Sequence, residues 1–88
     1  MTLERHLEEI KSEFKRQDIL YGEQNHTPLK WVSILVKQVG SVAEQANKFD
    51  DAGKDLNLQK YESEAIQVAA VAIRMLQCLE RGKWSDTV

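Results

Sequence analysis

Residues 57–82 read NLQKYESEAIQVAAVAIRMLQCLERG, and this stretch decides the fold. Two apolar stripes at helical spacing run through it and predict a helix of about 24 residues. Asn57 is placed to cap its start and Gly82 to end it. A helix that is apolar on most sides is typical of a buried position. The first stripe consists of Tyr61, Ala65, Val68, Ala72, Met75 and Leu79, and the second of Ile66, Ala69, Ile73 and Leu76.

Two more helices are predicted on the N-terminal side of this stretch. The first covers about residues 2–20, with Thr2 as its N-cap and apolar positions at Leu3, Leu7, Ile10 and Phe14. A polar segment over 21–27 follows, and Thr27 before Pro28 reads as an N-cap and first helical residue. The second helix should therefore run over about residues 28–50. Its apolar positions are Val32, Leu35, Val39, Val42, Ala46 and Phe49.

A polar turn over 50–55, with Gly53 as its flexible point, separates the second helix from the third. No strand pattern is present, so the fold class is all-α: a bundle of three main helices in one domain over residues 1–82. Residues 83–88 form a short tail in which Trp84 is placed to dock. An 88-residue chain can hardly bury such an apolar third helix alone. We therefore expect a homo-oligomer, a dimer or a tetramer, formed through the second and third helices.

Composition excludes several classes of protein. Hydrophobic residues make up 42% of the chain and charged residues 30%, and the longest uncharged stretch, 65–73, is too short to span a membrane. The net charge is −2 and the basic residues are scattered, which disfavours nucleic acid as a partner. A single cysteine, Cys78, excludes an internal disulfide framework and a cysteine-based zinc cluster. The N-terminus lacks the apolar core of a signal peptide, so a cytoplasmic location is expected.

Three segments together resemble a known family. They are YGEQNH at 21–26 followed by Trp31, ILVKQVGSVAE at 34–44, and EAIQVAAVA at 64–72. This framework, which covers roughly residues 18–81, is similar to the MazG-like all-α nucleoside triphosphate pyrophosphohydrolases, especially small phage-type members. The resemblance implies a helical bundle completed by oligomerisation.

The resemblance also implies a magnesium site, which this chain has largely lost. In the family, one helix carries Glu-Glu-x-x-Glu and the next Glu-x-x-Asp, and these acids hold the magnesium that binds the triphosphate. The matching positions here are Lys37, Gln38, Ser41, Glu64 and Gln67. Four of the five acids are replaced, and the charges of Lys37 and Glu64 cancel. We therefore expect no magnesium cofactor, since a neutral cleft containing a lysine does not attract a dication.

The remaining candidates each have two interpretations. Lys37 either binds a phosphate or forms a solvated or structural ion pair with Glu64. Glu64 and Glu44 are candidate metal ligands, although a surface role is the commoner one for such glutamates. Trp31 and Tyr21 are candidates for stacking on a nucleobase, while Trp31 at the start of a helix more often closes the core.

Two further residues are weighed for chemistry. His26 lies in the polar loop and is a candidate general acid or base, but the sequence offers it no acidic partner. Cys78 lies among apolar residues of the third helix, which favours a small core residue over a nucleophile.

The sequence leads to a preferred function and two alternatives. The preferred one is a non-catalytic nucleotide- or protein-binding regulatory protein on a MazG-like scaffold. The first alternative is an active magnesium-dependent nucleoside triphosphate pyrophosphohydrolase whose site is rebuilt from Glu44, Glu62 and Glu64. The second is a structural helical dimer that binds no ligand.

Overall fold

The computed structural model of the chain describes residues 2–52 and 58–84. It contains three α-helices, α1 (Leu3–Tyr21), α2 (Pro28–Ala52) and α3 (Leu58–Arg81). The described residues contain no strand, which confirms the predicted all-α class. None of the helices in the described part of the chain is long and apolar enough to cross a membrane.

The helix ends follow the predicted capping residues closely. Thr2 accepts a hydrogen bond from the backbone N–H of Arg5 at 3.3 Å, and Thr27 caps α2 by accepting one from Lys30 at 3.4 Å. Gly22 and Gly82 end α1 and α3 with φ angles of 67° and 68°. This left-handed backbone is costly for residues with a Cβ, which explains glycine at both points.

Differences from the predicted boundaries are small. Helix α1 continues one residue past the predicted end, to Tyr21, and α2 continues two residues past it, to Ala52. The predicted turn at Gly53, the cap at Asn57 and the side chain of Phe49 lie outside the described residues. Trp84, predicted to dock, keeps 46% of its surface exposed, and the tail beyond it also lies outside the described residues.

Helix α3 is the centre of the fold. It packs against both α1 and α2, whereas no Cα atom of α1 lies within 8 Å of a Cα atom of α2 in the part of the chain described. The core lies at the α2–α3 contact, where Trp31, Val71 and Cys78 are buried with Ile34, Leu35 and Met75 partly buried around them. The buried position of Cys78 agrees with its prediction as a core residue.

The expectation that α3 is buried all round is not met within one chain. Only Ala70, Val71, Arg74 and Cys78 are buried on this helix. Leu79, a member of the predicted apolar stripes, is 60% exposed, and Leu76 is 61% exposed. The reason is geometric, because two neighbouring helices cover only part of a central helix and leave its remaining side to solvent.

Two arginines of α3 hold the loop that connects α1 to α2. The buried Arg74 donates hydrogen bonds to the carbonyl of Gly22 at 2.7 Å and to Gln24 Oε1 at 3.0 Å. Arg81 donates to the carbonyl of Gln24 at 2.8 Å and to Asn25 Oδ1 at 2.9 Å. Burial lowers the pKa of Arg74 from its ordinary value. These bonds fix where α1 ends and where α2 begins relative to α3.

Substitution of Arg74 should therefore destabilise the fold strongly. We expect Arg74→Ala to lower the free energy of unfolding by about 2–4 kcal/mol, because it removes a buried side chain together with its charged, part-buried hydrogen bonds to the loop. Arg5, whose side chain is 64% exposed in an ion pair with Glu9, provides the matched control. Arg5→Ala should cost less than about 0.5 kcal/mol in urea unfolding. Equal costs for the two variants would contradict the structural role of Arg74.

Candidate functional site

A cleft opens between α1 and α2 above α3, because the two outer helices do not meet. Its volume is about 290 Å³. A second pocket of about 210 Å³ adjoins it and shares Gln24, Trp31 and Arg74 with it. The first cleft is lined by Arg16, Gln17, Tyr21, Gln24, Trp31, Ile34, Lys37, Gln38, Gln67, Val71 and Arg74.

The charges that line the first cleft are all positive. Arg16 is held by Glu13 through two hydrogen bonds of 2.8 and 2.7 Å, and Arg74 lies 3.7 Å from Asp18. Lys37 makes no ion pair with any residue that the structure describes. The cleft therefore contains three cations. Among the described residues Lys37 has no carboxylate partner, whereas Glu13 and Asp18 partly balance the charges of Arg16 and Arg74.

The Glu13–Arg16 pair also shifts the pKa values of its two members. The hydrogen bond from Arg16 lowers the pKa of Glu13, with a further contribution from Gln17, whose amide donates to the same carboxylate at 2.9 Å. The same bond raises the pKa of Arg16. This pair orders the α1 wall of the cleft at neutral pH, where both members are charged.

Three of the five residues that match the family's acidic positions line this cleft. They are Lys37, Gln38 and Gln67. Gln38 Nε2 donates a hydrogen bond of 2.6 Å to Glu64 Oε2, so the carboxylate of Glu64 is engaged by an amide. Ser41 is partly buried one turn along α2 and does not line the cleft. The alternative ion pair of Lys37 with Glu64 is absent among the described contacts.

These residues do not fit a magnesium ion. Within residues 2–52 and 58–84, side chains of His, Cys, Asp and Glu nowhere form a group of three that could hold a metal. Glu62 lies in a different groove, between α1 and α3, and Glu44 is exposed on α2. The carboxylates of the rebuilt site, Glu44, Glu62 and Glu64, are therefore not assembled. Magnesium prefers several oxygen ligands with negative charge, and this cleft has lysine and amides instead.

The aromatic candidates occupy different places. Trp31 is only 3% exposed and closes the core, so its ring faces are not open to a nucleobase. Its indole Nε1–H, however, is buried without a hydrogen-bond partner in the described part of the protein. Tyr21 is 61% exposed on the rim of the cleft. His26 packs edge-on against Trp31 with ring centroids 5.0 Å apart.

Sequence reasoning missed Arg16, Arg74 and the cleft glutamines Gln17 and Gln24. Arg74 had a usable signal, since it is the one charged residue within 65–79, an otherwise uncharged stretch of an apolar helix. A charge in such a stretch is rarely tolerated without a buried partner. Arg16 and Gln17 gave no such signal, because polar residues on a helix of mixed composition resemble any solvated face. Gln24 gave none because it lies in a loop that is polar throughout.

Comparison of the chain with protein-family models, with curated proteins and with solved structures gives no match in any of the three. The MazG-like resemblance stays a hypothesis based on the motifs alone.

The charge of the cleft leads to a prediction about metal ions. We expect millimolar Mg²⁺ or Mn²⁺ to leave the melting temperature of the protein unchanged, because no carboxylate group is assembled to bind it. A triple variant, Lys37→Glu, Gln38→Glu and Ser41→Glu, should gain metal-dependent stabilisation beside Glu64. Differential scanning fluorimetry measures both. Stabilisation of the unaltered protein by metal would contradict the account of the cleft.

Proposed function

We propose that the protein binds a phosphate-bearing small molecule, a nucleotide, in the cleft between α1 and α2, without a metal ion and without efficient hydrolysis. One observation carries the proposal: the cleft is lined by Arg16, Lys37 and Arg74 and by glutamine amides, with no carboxylate among its lining residues. Phosphates in proteins are bound by this combination of fixed cations and N–H donors.

The three cations of the cleft would have different roles in binding a phosphate. Lys37 is exposed and has no ion-pair partner among the described residues, so its ammonium group is available to a phosphate. Arg74 is fixed by its hydrogen bonds to the loop, and Arg16 by Glu13, so both guanidinium groups are ordered before a ligand arrives. Preorganised donors bind with a smaller loss of conformational entropy than mobile ones do.

Two aromatic residues support the same ligand class. The buried indole N–H of Trp31 lacks an acceptor, and an oxygen atom of a ligand or a bound water would supply one. Tyr21 lies exposed on the rim, where its ring can stack on a nucleobase. Of the two candidates for stacking on a nucleobase, the proposal therefore keeps Tyr21 and assigns Trp31 a hydrogen-bonding role.

The size of the site is compatible with a small ligand. A volume of 290 Å³ lies just below the range of about 300–1,000 Å³ that is usual for small-molecule sites. The adjoining pocket of 210 Å³ extends the space past Trp31 and Arg74. The phosphates would lie in the cationic cleft, and the MazG-like resemblance is the reason for naming a nucleotide rather than another phosphate ester.

Nucleotide binding in the absence of metal tests the proposal. With EDTA present, a nucleoside triphosphate at ten times its Kd should stabilise the protein by about 1.4 kcal/mol, a rise of several degrees in melting temperature. Lys37→Gln should weaken binding roughly tenfold or more, because a charge-assisted hydrogen bond is lost. Lys48→Gln, an exposed lysine further along the same helix, is the matched control and should bind normally.

The outcomes of this experiment separate the competing functions. No stabilisation by any nucleotide or by inorganic triphosphate would overturn the proposal and favour a structural or protein-binding role. Equal loss of binding in the Lys37 and Lys48 variants would indicate a general charge effect in place of a site. Release of pyrophosphate that needs Mg²⁺ or Mn²⁺ and disappears in Glu64→Ala would establish the hydrolase alternative.

A further inference from the structure

The pocket that adjoins the cationic cleft differs from it in charge, because carboxylates take part in its lining. Its volume is about 210 Å³, and Asp18 of α1 and Glu23 of the loop line it together with Arg74 and Arg81 of α3. The two negative and two positive charges balance. A pocket without net charge favours a neutral polar group over a cation or an anion, since a net charge placed there would lose its hydration without an opposite net charge to offset the loss.

The carboxylate of Asp18 is positioned in this pocket, yet its oxygens accept no hydrogen bond from any described residue. Its Oδ1 lies 3.7 Å from Arg74 Nη1, which is an ion-pair distance and too long for a hydrogen bond. Glu23 differs, because it accepts a hydrogen bond of 2.9 Å from Asn25. That bond, with the charge of Arg81, lowers the pKa of Glu23. Asp18 is therefore the carboxylate of the pocket whose two oxygens are open to a ligand.

The α3 side of the pocket supplies an amide. Gln77 follows Arg74 by three residues and precedes Arg81 by four, so the three side chains lie on one face of the helix. Arg74 and Arg81 both donate to the α1–α2 loop. The exposed amide of Gln77, in contrast, makes no hydrogen bond with another described residue. The pocket thus combines an open carboxylate on α1 with an open amide on α3.

Trp31 lies where this pocket meets the cationic cleft, since it lines both. Its indole N–H is buried and lacks an acceptor among the described residues, which indicates a polar ligand atom or a water at the junction. Tyr21 follows Asp18 by three residues, so the two side chains project from the same side of α1. A nucleotide that spans the junction would place its phosphates among the cations and its base beside Asp18.

We propose that the pocket binds a guanine base, whose N1–H and 2-amino group both donate to the carboxylate of Asp18. The inference rests on the proposed function, because it names the nucleotide that the cleft would bind. Guanine has two adjacent N–H donors on one edge, which match the two oxygens of a carboxylate. Adenine, cytosine and uracil offer one donor beside an acceptor, whose lone pair would face the second carboxylate oxygen. The amide of Gln77 would donate to O6 of guanine.

Two nucleotides that differ by one amino group test the base contact in the unaltered protein. Inosine triphosphate lacks only the 2-amino group of guanosine triphosphate. In EDTA, isothermal titration calorimetry should give a Kd for inosine triphosphate at least about tenfold higher, because one charge-assisted hydrogen bond is lost. Equal Kd values for the two nucleotides would overturn the inference.

Asp18→Asn provides a test that a structural role would not pass. The variant keeps the size of the side chain and replaces one acceptor oxygen by an N–H donor. It should bind xanthosine triphosphate more tightly than guanosine triphosphate, because xanthine has a carbonyl oxygen in place of the 2-amino group. Weakening of all nucleotides by the same factor would contradict the base contact. Glu44→Gln, which changes an exposed carboxylate of α2 outside the pocket, is the matched control and should keep the preference for guanine.

Inorganic triphosphate separates failure of this inference from failure of the proposed function. It has no base, so its binding depends on the cationic cleft alone. Binding of triphosphate and of all nucleotides with one affinity would overturn the guanine pocket and leave the phosphate site standing. Absence of binding by triphosphate and by every nucleotide would overturn both. If Asp18→Asn fails to fold, the comparison of guanosine and inosine triphosphates in the unaltered protein still decides.

Discussion

The arginine pair on α3 is the interaction on which the rest of the structure depends. Arg74 and Arg81 bind the backbone and side-chain oxygens of the α1–α2 loop, and through it they fix two helices whose Cα atoms, where described, stay more than 8 Å apart. A buried guanidinium costs several kcal/mol of lost hydration, which only good acceptor geometry offsets. The loop supplies that geometry, since it contributes carbonyl and amide oxygens at 2.7–3.0 Å. The cleft exists because these bonds hold α1 and α2 apart over α3.

The same arrangement explains the electrostatics of the cleft. Arg74 supplies part of its wall, and Arg16 and Lys37 extend the positive charge along α1 and α2. The carboxylates nearby are engaged by residues that line the cleft: Glu13 by Arg16, Asp18 by Arg74, and Glu64 by the amide of Gln38. The cleft thus presents lysine, arginines and amides and no carboxylate among its lining residues. This is the lining that the proposed direct recognition of an anion requires.

The sequence predicted the three helices well and the residues of the candidate site only in part. Helical spacing and the caps at Thr2, Thr27 and Gly82 predicted three helices whose ends differ from the structure by at most two residues where both are described. Periodicity cannot say which side of an apolar helix a single chain covers, so the exposure of Leu76 and Leu79 was not foreseen. Of the five residues named from the motifs, Lys37, Gln38 and Gln67 line the cleft and Ser41 and Glu64 do not. Arg16 and Gln24 joined them only through tertiary packing, which no local pattern encodes.

The most direct measurement uses the indole N–H of Trp31 as a reporter in a proton–nitrogen NMR spectrum. The chain has two tryptophans, and a Trp84→Phe variant assigns the signal of Trp31. Inorganic triphosphate or a nucleotide, added in EDTA, should shift the Trp31 indole resonance in a saturable way and leave that of Trp84 in place. An unchanged Trp31 signal at saturating ligand, or a shift that appears only after Mg²⁺ is added, would contradict metal-free binding in the cleft.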